Sequence, residues 1–262
     1  MSHPTDDRLA GHSSYVLEVD SVVRRFGGVT AVDGITVSLA SDERLAVIGP
    51  NGAGKTTLFR LIAGEVAPTS GTITLFGRDV TRWPTRRRAR LGVSRTFQVS
   101  NLFPNLSVLD NVRLAAQVKD MARWQFWPGR RGRGADGERI AEVLESLMLT
   151  ARSADPVSSL SHGERRQLEI AMSLVVTPRL LLLDEPAAGL SLVERARLRE
   201  ILEGLPRSIP FLLIEHDLTL ALELADRVLC MENGRPIALG TPEQVRADRH
   251  VQEVYLGRSA TA

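Results

Sequence analysis

One segment, GPNGAGKTT at positions 49–57, constrains the fold of this chain more than any other. It fits the pattern glycine, four free positions, glycine, lysine and then serine or threonine, in which the backbone curls so that successive amides face phosphate oxygens. The apolar run at 44–48 before it reads as a buried strand and 55–64 after it as a helix, which is the setting such a loop requires. Gly49, Gly52 and Gly54 supply the backbone freedom, and the helix start supplies a positive end. Lys55 is placed to reach the β- and γ-phosphates of a nucleotide, and the Thr56 hydroxyl to coordinate magnesium. Pro50, Asn51, Ala53 and Thr57 complete the predicted cradle. By itself the segment specifies nucleotide binding, which kinases, GTPases and motors share.

Around the loop, short apolar runs alternate with helical ones. Leu180–Leu183 is wholly apolar and Phe211–Glu215 nearly so, as expected of strands buried on both faces, and 71–75 and Val93–Phe97 predict two more strands. Helical patterning covers 107–150, with a break between Leu109, Val112, Leu114, Ala115 and the later Ile140, Val143, Leu144, Leu147. Further helices are predicted from Ser161 to about Val176 and from Leu192 to about Glu203. Two runs rich in Val, Ile and Thr between Tyr15 and Leu39, split at Phe26-Gly27-Gly28, predict an antiparallel β-layer, and 227–239 predicts a hairpin turning at Asn233-Gly234. Together these imply a mostly parallel central sheet in an α/β fold, with an inserted helical lobe at about 99–176. Arginine-rich Thr85–Leu91 reads as a solvated helix face. The segment 121–137, with Trp124, Phe126, Trp127, Arg130, Arg131 and Arg133, reads as an insertion loop, either touching a partner subunit or lipid headgroups or lying as a partly ordered surface loop.

With 262 residues, 43% hydrophobic and 24% charged, the chain has the size and apolar content of one large domain, expected over 15–257, with 1–14 a mobile leader or cloning remnant and 258–262 a tail. The net charge is +2, and the pI of 9.1 reflects arginine, because Lys55 and Lys119 are the only lysines. Both signs alternate over most of the length, so no nucleic-acid partner is expected. Cys230 is the sole cysteine, which excludes an intramolecular disulfide and a cysteine metal cluster and points to the cytosol. No run of about 18 apolar residues is present, and the N-terminus lacks the blocks of a secretion signal, so any membrane role is expected to be indirect.

LSHGERRQLEIA at 160–171, followed by LLLLDEP at 180–186, resembles the signature motif and Walker B segment of ABC ATPases. Gln98 precedes both, AAGLS at 187–191 stands at the place of the D-loop, and LLIEHD at 212–217 ends in the place of the switch histidine. Within that superfamily RTFQ at 95–98, DEPAAGL at 184–190, IEHD at 214–217 and the closing GTPEQV and VYLG resemble the ATPases of branched-chain amino-acid importers, and the insertion resembles the longer of their two ATPases. The resemblance implies an ABC-type P-loop domain that hydrolyses ATP with Mg2+.

It also assigns roles. Asp184 ends a buried strand, where an ionised carboxylate is costly without a cation, so it is expected to hold magnesium directly or through water. Glu185 is the expected general base. By resemblance His216 contacts the γ-phosphate and holds the attacking water, Gln98 binds magnesium and relays nucleotide state to the membrane subunits, and Phe26 stacks on adenine, the alternative for Phe26 being a core residue. Ser161 and Gly163 are expected to face the nucleotide of a second ATPase domain, so hydrolysis requires a head-to-tail pair. The implied partners are a second ABC ATPase subunit, identical or related, transmembrane permease subunits, and a cargo-binding protein acting through the permease. The implied location is the cytoplasmic face of the inner membrane, held through the permease. Three positions depart from the family pattern: His162 replaces glycine, Glu164 replaces glutamine, and Ser191 replaces aspartate or asparagine. They touch the composite site but leave Lys55, Gln98, Asp184, Glu185 and His216, so an active ATPase is expected. The implied function is uptake of branched-chain amino acids or related small polar solutes; an exporter or lipid-extracting ATPase and a soluble non-transport ABC protein are the alternatives.

Overall fold

The computed structural model describes residues 15–96, 102–121 and 133–256. Gln98 and the aromatic part of the insertion lie outside the described residues, as do 1–14 and the tail.

Two sheets form the body. The antiparallel one has the order β2-β1-β4-β5, from β1 (Tyr15–Phe26), β2 (Val29–Ala40), β4 (Ser70–Leu75) and β5 (Arg78–Asp79). The larger one has the order β10-β9-β3-β8-β7-β6, from β3 (Arg44–Ile48), β6 (Val93–Arg95), β7 (Leu180–Asp184), β8 (Phe211–Ile214), β9 (Arg227–Glu232) and β10 (Arg235–Gly240). Its pairs are parallel except the β9–β10 hairpin, which turns at Asn233 (φ 49°) and Gly234 (φ 80°) as expected of Asn-Gly.

The apolar strands have two-sided burial. Leu181 and Leu183 of β7 and Phe211 and Leu213 of β8 face a core shared with the helical lobe. Their alternates, Leu180, Leu182, Leu212 and Ile214, face the core beneath the antiparallel layer and α1 (Lys55–Ala63). The lobe contains α3 (Val108–Met121), α4 (Arg133–Ser146) and α5 (His162–Val175). Helix α4 begins at Arg133, so the last residues of the expected insertion loop are helical. After α6 (Leu192–Glu203) come α7 (Leu218–Leu224), α8 (Pro242–Ala247) and α9 (Arg249–Leu256), which cover the β3–β9 side of the sheet with a third small core.

The arginine-rich segment departs from expectation. In α2 (Thr85–Arg90), Arg86, Arg87 and Arg90 are exposed, but Arg88 is only 1% exposed. Its guanidinium donates to Leu61 O and Ile62 O, both at 2.7 Å, and to Val80 O, Thr81 O and Trp83 O. Leu61 O and Ile62 O lie in the last turn of α1, where carbonyls outnumber helical donors, and although Leu61 O also accepts the Gly64 N–H, Arg88 fastens the far end of the phosphate-loop helix.

Candidate active site

Strands β3, β8 and β7 are parallel neighbours, so their carboxyl ends meet at one edge of the sheet, where open α/β sheets place ligands. The chain leaves β3 through Gly49 (φ 150°), Gly52 (φ 82°) and Gly54 (φ 99°) and enters α1. A Cβ on Gly49 would lie 2.2 Å from Met231 O, and one on Gly54 2.2 Å from Ala31 O, so these two must lack side chains. The β9–β10 turn supports the loop from below, because Gly234 N donates to Ala53 O at 3.0 Å. Helix α1 has no side-chain cap and no acid in its first turn, which keeps its positive end open to an anion. Lys55 is buried and its ammonium donates to Gly49 O at 2.6 Å and Pro50 O at 3.1 Å. Burial lowers its pKa, against the charges of Glu185 and Asp184, which raise it.

Asp184 closes β7 with 3% exposure, and its buried Oδ1 has no hydrogen-bond partner among the described residues. Burial, with the Glu185 charge second, pushes its pKa up to about 6. A buried carboxylate oxygen without a donor fits a hard cation, which one carboxylate, one hydroxyl and substrate phosphates commonly hold. Among the described residues no group of three or more His, Cys, Asp or Glu forms a separate metal cluster. Glu185 follows at φ 46°, a left-handed conformation uncommon outside glycine. At the neighbouring strand end Glu215 is fully buried, its Oε1 accepting Ala187 N–H at 3.0 Å and its Oε2 accepting His216 N–H at 3.3 Å. The His216 side chain is 48% exposed, with Nδ1 3.7 Å from Glu215 Oε2. Beyond β7, Thr96 Oγ1 accepts Asp184 N–H at 3.4 Å at the point where the chain heads for Gln98.

The start of α5 forms a different arrangement. Ser161 and Glu164 make a capping box, so the glutamate that departs from the family pattern completes the helix cap. His162 Nε2 lies 3.3 Å from Ala188 O, and Ser191 makes a second capping box with Glu194 at the start of α6, so each departure has a local structural job. The Glu194 carboxylate also crosses to α5, where Oε1 accepts Gly163 N–H at 3.0 Å, while Oε2 accepts from Ser191 N and Oγ. The Ser191 and Gly163 donors hold its carboxyl below the usual range.

These motifs and this architecture match known proteins. A family model described as ABC transporter matches residues 32–188. The chain belongs to that family. A second model, described as branched-chain amino acid ATP-binding cassette transporter, matches residues 235–261 of this ABC protein. The high-affinity branched-chain amino acid transport ATP-binding protein LivG of Salmonella typhimurium is 39% identical, over 94% of this chain and 100% of that one. BraF of Pseudomonas aeruginosa, described in the same words, is 38% identical over 93% and 98%. The crystal structure of an ATP-binding cassette of an ABC transporter in its ADP conformation superposes with a TM-score of 0.79 at 28% identity, covering 93% of this chain and 99% of that one.

Within this ABC ATPase, Lys55, Asp184, Glu185 and His216 stand at or just beyond the ends of three adjacent strands. Ser161 and Gly163, at the start of α5, bond to Glu164 and Glu194. Phe26 is 46% exposed and the Arg24 guanidinium lies 4.4 Å from its ring centre, so it is not a core residue. Sequence reasoning passed over Arg166, Glu194 and Glu215. A Ser-x-x-Glu spacing at 191–194 marks Glu194 as a capping residue, but no local pattern marks the other two.

Proposed function

We propose that this chain hydrolyses ATP as one half of a head-to-tail ATPase pair and so drives import of branched-chain amino acids or related small polar solutes. The observation that carries the reading is the convergence of Lys55, Asp184 and Glu185 at the carboxyl edge of one sheet, with Asp184 Oδ1 buried and without a hydrogen-bond partner among the described residues. The cargo class is supported by the match of residues 235–261 and by the LivG and BraF likeness over nearly the whole chain.

In this reading the loop amides from Gly49 to Thr57 hold the phosphates, and Lys55 exchanges its carbonyl partners for the β- and γ-phosphates. Magnesium, when bound by Thr56, Asp184 and Gln98, neutralises phosphate charge. Glu185 takes the proton of the attacking water while His216 steadies that water against the γ-phosphate, and Phe26 offers its exposed face to adenine. Ser161 and Gly163 donate to the γ-phosphate on the other subunit, so each nucleotide becomes part of the interface. Among the described residues no helix is long and apolar enough to cross a membrane. The transmembrane path is assigned to permease subunits, with a cargo-binding protein delivering solute to them and the ATPase held at the cytoplasmic face. The domain is assigned to 15–257, with its helical lobe at about 99–176.

The test is co-assembly with the permease and binding protein in vesicles, followed by ATPase assays with candidate solutes. Leucine, isoleucine or valine should raise turnover through the complete assembly. Stimulation confined to unrelated solutes would contradict the cargo assignment.

A further inference from the structure

Three successive carbonyl oxygens of the turn that carries Glu185 converge on one side chain. Arg166 Nη2 donates to Asp184 O at 2.8 Å and to Glu185 O at 2.9 Å, and Nε donates to Pro186 O at 3.1 Å. Its remaining edge is fixed by Glu169, with Nη1 to Oε2 at 2.6 Å. On the other side of the turn Ile214 O accepts Glu185 N–H at 2.9 Å and Glu215 Oε1 accepts Ala187 N–H. The turn needs such a hold, because Glu185 at φ 46° occupies a conformation that a side chain disfavours and that persists only when surrounding contacts impose it. A planar guanidinium spreads five donors over a rigid fork, so it can hold three consecutive carbonyls and the Glu169 carboxylate at once, whereas a lysine ammonium has three donors on a single flexible atom.

The location of Arg166 gives the grip a further consequence. It lies in α5, one turn beyond Ser161 and Gly163. We propose that Arg166 is a positioning residue for hydrolysis: it acts through Glu185, shaping the turn that aims the carboxylate, and it ties that aim to the placement of the signature helix. Because the start of α5 addresses the nucleotide of the opposite subunit in the proposed pair, each subunit's base is set correctly only when its signature helix is seated. This inference rests on Glu185 being the general base.

The test uses the full chain and compares Arg166→Lys, Glu185→Gln and the double variant by ATP affinity, melting temperature and turnover. Arg166→Lys should bind ATP within about twofold of the parent, while kcat falls at least about tenfold. In the Glu185→Gln background the same change should alter the residual rate by less than about twofold, because both substitutions remove one shared function. An unchanged kcat overturns the proposal, as does an equal fold-loss in both backgrounds or a loss of ATP affinity in step with kcat. If Arg166→Lys does not fold, Glu169→Gln carries the same comparison, since it releases one edge of the guanidinium and leaves the turn's carbonyls in place. Its smaller loss in kcat should also vanish without Glu185, and persistence of that loss overturns the proposal. Full turnover by Glu185→Gln alone removes the base assignment itself and is judged before any Arg166 variant.

Discussion

The Gly163 amide donates to the Glu194 carboxylate at 3.0 Å within one subunit. For that amide to reach a γ-phosphate on a partner, it must exchange one anion for another, and a carboxylate left in place would repel the incoming phosphate. Glu194→Gln removes the charge. In a Glu185→Gln background it should lower the ATP concentration at half-maximal pairing by roughly fivefold, equivalent to about 1 kcal/mol. Size-exclusion chromatography against ATP concentration checks this; an equal or higher requirement contradicts it.

Lys55 is buried, its hydrogen bonds among the described residues go to carbonyls of its own loop, and its pKa is lowered by that burial. Its removal should cost nucleotide binding and not folding. Lys55→Ala should weaken ATP affinity at least about tenfold, as loss of a charged contact to phosphate implies. Calorimetric titration measures the affinity, and a melting curve close to that of the parent separates binding from stability.

Asp184 makes the protein free of nucleotide and magnesium less stable as pH rises. Its folded pKa of about 6 lies above the ordinary 3.8. The folded state therefore holds this proton more tightly, so its favourable contribution is full below about pH 4 and is lost as pH climbs through about 6. Asp184→Asn should raise the melting temperature at pH 8 by an amount equivalent to at most about 3 kcal/mol, and the gain should shrink toward zero at about pH 4. Equal gains at both pH values would contradict the assignment of the shift to Asp184.

Arg88 satisfies five backbone carbonyls while almost fully buried. Arg88→Met should destabilise the chain by about 3 kcal/mol or more, because all five acceptors lose a buried charged donor, and of these Leu61 O and Val80 O keep a backbone one, from Gly64 N–H and Trp83 N–H. Thermal unfolding measures the effect, and a loss below about 0.5 kcal/mol, typical of an exposed arginine, would contradict it.

Arg88 also marks where sequence reading stops. The phosphate loop, the apolar strands and the Asn233-Gly234 hairpin are legible because their requirements are local: glycine where a side chain collides, leucine on both faces of a covered strand, and a left-handed pair at a tight turn. Arg88 is the exception within a helix whose other arginines face solvent, and only the packing of α2 on the end of α1 distinguishes it. Arg166 and Glu215 were missed for the same reason, since each bonds to backbone groups on remote elements, and a backbone group leaves no residue pattern to read. Motif order singles out Asp184, Glu185 and His216 in the sequence, but the left-handed backbone of Glu185 and the burial of Glu215 are set by how β7 and β8 lie side by side, which no local pattern encodes.

The central claim is that two subunits grip one ATP, the first through Lys55 and the second through Gly163. A structure of the Glu185→Gln chain trapped with ATP and magnesium, assembled with its partner ATPase, measures this directly. The account predicts the Gly163 N–H of one subunit at about 3 Å from a γ-phosphate oxygen held by the other subunit's phosphate loop, with Glu194 withdrawn. Gly163 still bonded to Glu194, with the nucleotide far from any signature segment, would contradict it.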